Sequence, residues 1–110
     1  MKIKTSELTG GALDWAVAVS KGYQPFTDGI SWIIDVGGTY IRVPYYSTDW
    51  RQAGPIIERE KIDLRCMYGR DGSVVWRTVH ADGPTPLIAA MRCYVATKLG
   101  DEVDVPEELV

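Results

Sequence analysis

One hundred and ten residues, 45% of them apolar and 25% charged, describe one ordinary globular domain with room for a real core but not for two. The net charge of −3 hides an asymmetry: residues 101–110 hold five acids and no base, while residues 1–100 hold twelve bases and ten acids. A mildly basic body suits a small anionic ligand but lacks the basic stripe of a nucleic-acid protein. No apolar run can cross a bilayer, and two cysteines with one histidine make neither a disulfide framework nor a zinc site.

The first residues, MKIKTSEL, lack the apolar stretch of a secretory signal, and Met1–Lys4 alternates like a short edge strand with Ile3 inward. Thr9-Gly10-Gly11 opens a helix that runs to about Lys21 and stops at Gly22. Ala12, Leu13, Trp15, Ala16, Val17 and Val19 sweep a very wide apolar arc on it, and only Asp14 and Lys21 mark a polar side. After a loop with turn signals at Pro25 and Asp28-Gly29, Ile30–Asp35 and Thr39–Val43 read as two strands. Gly37-Gly38 between them suits a two-residue hairpin turn, since both positions can take positive φ. Pro44–Gly54 reads as a loop rich in aromatic and polar groups, followed by a single helical turn at Pro55–Glu60. Ile62–Tyr68 and Ser73–Val79 form a second hairpin around Gly69–Gly72.

The clearest element is the last helix, within Gly83–Gly100. Thr85 is a natural N-cap, Pro86 takes the first helical position, Lys98 sits in the last turn and Gly100 follows it. Leu87, Ile88, Met91, Tyr94, Val95 and Leu99 line one face. The opposite face, Ala89, Ala90, Cys93, Ala96 and Thr97, is small and uncharged where a surface helix would carry charge, so both faces are expected to be covered. The element order predicts an α+β fold: an antiparallel sheet of about four strands in two hairpins, with the N-terminal and C-terminal helices on one face and a solvated acidic tail at residues 101–110. Two such apolar helices are hard to bury within one small chain, which points to a homo-oligomer.

Three stretches, LTGGALDWAVAVSKG, STDWRQAGPIIERE and GPTPLIAAMRCYVATKLGDEVDVPEEL, closely resemble the NinX family of small accessory proteins of lambdoid bacteriophages. The resemblance spans nearly the whole chain. It implies a phage protein at work in the host bacterial cytoplasm, and it implies a context more than a chemistry.

Three constellations are candidate sites. The entry to the last helix, Asp82-Gly83-Pro84-Thr85, offers free amides and a positive dipole end to a phosphate, or is simply a capped helix. Tyr45, Tyr46, Trp50 and Arg51, with Arg59, combine stacking surfaces with phosphate clamps, and the same residue types anchor interfaces between protomers. Asp14, Glu58 and Arg92 suit an acid–base pair less well than a structural ion pair between helices. His80 has no partner in sequence, and neither a nucleophile motif nor a phosphate loop of the Walker type is present.

These features lead to a non-enzymatic expectation. The protein would be a counter-defence binder that sequesters a small nucleotide-type immune signal in a pocket between subunits, with Tyr45, Trp50, Arg51, Arg59, Gly83, Thr85 and Arg92 as ligand contacts. No cofactor, metal or membrane is implied, and nucleic acid is disfavoured by the overall acidity. The competing expectation is an adaptor or inhibitor that binds a host enzyme through the same aromatic loop.

Overall fold

A computed structural model describes all 110 residues. In chain order the elements are β1 (Lys2–Lys4), α1 (Gly10–Ser20), β2 (Phe26–Thr27), β3 (Trp32–Val36), β4 (Thr39–Arg42), α2 (Trp50–Glu60), β5 (Arg65–Tyr68), β6 (Val74–Arg77), β7 (Asp82–Gly83), α3 (Pro86–Leu99) and β8 (Glu102–Asp104). The class is α+β as expected, but the strands do not form one sheet. They form three small antiparallel sheets, ordered β1-β8, β2-β3-β4 and β5-β6-β7. The two hairpins therefore stay in separate sheets, and each gains its own third strand: β2 pairs with β3, and β7 with β6.

The hairpins themselves follow their turn chemistry. Val36 pairs with Thr39 across Gly37-Gly38, whose φ angles of 59° and 90° are those of a left-handed two-residue turn. In the second hairpin Tyr68 faces Val74. Arg77 and Asp82 face each other across β6 and β7, and their side chains join in a two-pronged ion pair at 3.0 and 3.2 Å.

The core lies where α1 packs on α3, with Leu13, Ala16, Val17, Ala90, Met91 and Val95 essentially inaccessible to solvent. Each large apolar side chain buried in this way contributes about 1.5–3 kcal/mol. The small face of α3 is covered over most of its length: Ala89, Ala90 and Cys93 are buried and Ala96 half-buried, while Thr97 at its end is exposed, and α3 also contacts β6, β7 and the short turn of helix at Thr5–Glu7. One chain thus covers both apolar helices, and their apolarity no longer argues for packing between protomers. Asp14 does not mark a polar side of α1 either. It is only 6% exposed and accepts a hydrogen bond from the Ser47 amide at 2.7 Å.

Two further expectations are corrected. The segment read as a loop with one helical turn is the eleven-residue helix α2, with Pro55 inside it. Asp49 caps it by accepting from the Arg51 amide at 2.9 Å, and Ala53 and Ile56 supply its buried face. Pro55 removes one amide, but it lies exposed, and Gly54 before it has no Cβ to clash with the ring. The acidic tail is not a solvated end. Lys2 and Lys4 stand opposite Asp104 and Glu102 in register, and Val103 and Val105 are buried. The Thr5 amide and hydroxyl add bonds to the carbonyls of Asp101 and Gly100 at 2.8 and 2.6 Å.

Candidate functional site

A cleft of about 230 Å³ opens between α1 and one end of the β2-β3-β4 sheet. Its helix side is Gly11, Asp14 and Trp15; its sheet side is Ile30, Ser31, Trp32, Arg42 and Val43; Tyr45 and Leu109 close the ends. Local chemistry places these groups. Asp28 accepts from the amides of Ile30 and Ser31 at 2.8 and 2.7 Å, which fixes the turn ahead of β3 and holds its carboxyl below the usual range. The following strand then brings Trp32 to the cleft, and the paired strand returns with Arg42. The Arg42 guanidinium donates to the Tyr45 hydroxyl at 2.7 Å and to Ser31 Oγ at 3.2 Å. No carboxylate lies within ion-pairing distance of it, although Asp28 is near enough to feel its charge.

Asp14 is the buried charge in the wall. Burial pushes its carboxyl above the usual carboxylate value, opposed by hydrogen bonds from the Ser47 amide and hydroxyl. No cation pairs with it. Beside it in sequence, Trp15 keeps its indole nitrogen buried without an acceptor, an arrangement that costs about 1–3 kcal/mol. The cleft therefore sets three aromatic side chains and a guanidinium with no acidic partner around a buried carboxyl group. It falls below the roughly 300–1,000 Å³ of a pocket for a drug-sized molecule, so it takes one ring system and leaves the rest of a ligand outside.

Of the seven residues expected to bind ligand, the cleft contains only Tyr45. Trp50, 55% exposed, and Arg51, whose side chain is 90% exposed, stand on the first turn of α2. Arg59 is on its last turn, with Nε 3.2 Å from Glu60, and that hydrogen bond raises its pKa. Thr85 caps α3 by accepting from the Ile88 amide at 3.1 Å.

The phosphate corner at the start of α3 is filled by the protein itself. Gly83 is buried so close to the helix that an added Cβ would lie 2.6 Å from the Ala89 nitrogen, so its missing side chain serves packing. Arg92 is buried and donates to the carbonyls of Leu8 at 2.8 Å and Asp82 at 2.9 Å, and burial lowers its pKa. Asp14, Glu58 and Arg92 form no ion pair with one another, because Asp14 is held by Ser47, Arg92 by carbonyls, and Glu58 is exposed. Trp32, Arg42 and Ser31, which no sequence motif singles out, join Tyr45 in the cleft, and Trp15 both packs against the core and lines the cleft. The spacing Arg42-x-x-Tyr45 at the end of a strand was the one available signal. No group of three or more His, Cys, Asp or Glu side chains is arranged to hold a metal ion.

Fold and cleft together define a small α+β protein whose two-helix core carries an aromatic-lined cleft of ring size. The chain matches the family described as bacteriophage P22 NinX over residues 4–98, and it belongs to that family. It is a phage protein in which no helix is long and apolar enough to cross a membrane. No curated protein matches it.

Proposed function

We propose that this NinX-family protein is a non-enzymatic phage accessory protein that acts in the host cytoplasm by sequestering a small nucleotide-type signalling molecule, with the base held in the Trp15–Trp32–Tyr45 cleft. The observation that carries this reading is the cleft itself: three aromatic side chains beside an arginine that has no acidic partner within 4 Å. Stacking on aromatic rings contributes about 1–3 kcal/mol per base, and a guanidinium at the mouth meets a phosphate left outside. The mechanism is mass action: tight binding lowers the free signal below what its effector needs. The pocket is built from one chain, so it does not require a subunit interface. Self-association into a homo-oligomer would use exposed apolar residues of the hairpins such as Tyr40, Tyr68 and Val79.

The test is depletion and recovery. Purified protein is mixed with cyclic dinucleotides, cyclic trinucleotides and ADP-ribose derivatives, and free ligand is quantified before and after heating the protein. A sponge removes a ligand and returns it intact. Return of a converted product would make the protein an enzyme, and no loss across the panel would remove support for the sponge. Arg42→Gln with Tyr45→Ala should abolish depletion, while Trp50→Ala with Arg59→Ala should leave it unchanged. The adaptor reading keeps one specific support, the 55% exposed Trp50 beside Arg51 on α2, and would gain if only the second pair of substitutions had an effect, on capture of a host protein.

A further inference from the structure

We infer that the cleft selects a guanine ring, read by Asp14; this deepens the nucleotide-binding reading and depends on it. Asp14 is more than nine-tenths buried, lines the cleft, and has no cation to neutralise it. The Ser47 amide and hydroxyl face its carboxyl group, the amide holding Oδ1 at 2.7 Å, and the buried Tyr46 phenol lies near enough to feel its charge. An ionised carboxylate only accepts, so whatever ring enters must offer it donors.

The bases differ in what they present. Guanine offers two adjacent donors, N1–H and the C2 amino group, which together match a carboxylate. Adenine and cytosine place one amino donor next to a ring-nitrogen acceptor that would face the carboxylate's lone pairs. Uracil has one N–H between two carbonyls. A buried site built to accept from two donors rejects analogues that leave an oxygen unpaired, or that point an acceptor at it. Trp15, Trp32 and Tyr45 supply flat apolar surface to any base and do not discriminate, so discrimination falls to Asp14. Arg42 is fastened to Tyr45 and Ser31 and lies exposed, where the phosphate of the same nucleotide would emerge. Among cyclic dinucleotides, those that carry guanine are therefore the expected ligands.

The experiment is calorimetric titration of the full-length protein with GMP, IMP, AMP and XMP, repeated on Asp14→Asn. GMP should bind at least tenfold tighter than AMP, with IMP, which lacks the C2 amino group, in between. Asp14→Asn should lose GMP and gain XMP, because the new amide donates to the C2 carbonyl of xanthine. Equal affinity for GMP and AMP, or a guanine preference that survives Asp14→Asn in a folded protein, would overturn the role of Asp14 and leave nucleotide binding intact. No binding of any of the four by the natural protein would overturn both readings. The GMP, IMP and AMP series on the natural protein decides the matter even if Asp14→Asn does not fold.

Discussion

Replacing Gly83 with alanine tests whether the start of α3 is a ligand site or a packing joint. The added Cβ would stand 2.6 Å from the Ala89 nitrogen, 3.0 Å from Ala89 Cα and 3.1 Å from the Ile88 carbonyl carbon, all of them backbone atoms. Neither side yields easily. The Ala89 amide is bonded to the Thr85 carbonyl at 3.0 Å in the first helical turn, and Gly83 is held opposite Trp76 in the β5-β6-β7 sheet. Ordinary contact therefore needs the strand and helix to part by about 1 Å, and overpacking a well-filled site costs about 1–3 kcal/mol. With backbone on both sides the cost should reach the top of that range, about 3 kcal/mol, which for a domain of this size lowers Tm by about 10–15 °C. Urea unfolding followed by circular dichroism measures it, with the slope m unchanged. Gly11→Ala is the internal control, since its Cβ meets only the flexible Leu109 Cδ2 at 3.4 Å and α1 gains up to about 1 kcal/mol of helix propensity. A Gly83→Ala protein within 1 kcal/mol of the natural one would refute the packing argument. If that stable protein also lost nucleotide binding, the ligand site would lie at the α3 N-terminus instead.

Other substitutions probe the remaining corrections. Val103→Ala with Val105→Ala should cost about 2–4 kcal/mol, whereas Glu107→Ala with Glu108→Ala should stay within about 0.5 kcal/mol; equal effects in chemical unfolding would return residues 101–110 to a solvated tail. Arg92→Met leaves the Leu8 and Asp82 carbonyls without their donor and should cost about 2–4 kcal/mol while ligand affinity measured by calorimetry stays the same; a stable protein with weakened binding would contradict this. The Asp14 carboxyl lies above its ordinary 3.8 in the folded state, so folding holds its proton longer than the unfolded chain does. Stability from this group is therefore lost as pH rises above that ordinary value through the raised one, and Asp14→Asn should gain on the natural protein across that window. Parallel urea-midpoint curves for the two proteins would sink the argument. Tyr46, pushed up to about 12 chiefly by burial, should give a phenolate that appears late in alkaline titration and is missing in Tyr46→Phe. Because an unfolded tyrosine ionises near pH 10, stability should fall above about pH 10 in the natural protein and less in the variant.

The locally encoded features were legible in the residues. Thr85-Pro86 and Gly100 bound α3 because caps and fixed φ act within a few residues of their position. Gly37-Gly38 closes its hairpin for the same reason, as a two-residue turn depends on its own backbone alone. The small face of α3 announced close approach by another element, though not which one. The family, too, was readable from linear motifs over most of the chain.

Long-range pairing was decided only in three dimensions. Glu102-Val103-Asp104-Val105 alternates like a strand, but its acidity reads as solvation until Lys2 and Lys4 come opposite it from the far end of the chain. Helix α2 was hidden because Gly54-Pro55 is a break by propensity; the Asp49 cap is a local signal for it, but what outweighs the break is the burial of Ala53 and Ile56, which tertiary context sets. The cleft is the clearest case. Asp14, Trp32, Arg42 and Tyr45 come from a helix, two strands and a loop, and beyond the Arg42-x-x-Tyr45 spacing no pattern in the sequence links them. Trp50, Arg51 and Arg59, grouped by residue type, instead stand exposed at the two ends of helix α2. Caps and turns are set by short-range sterics and hydrogen bonds, so sequence alone determines them; a site assembled across packed elements depends on which faces the whole core buries, and that only the fold decides.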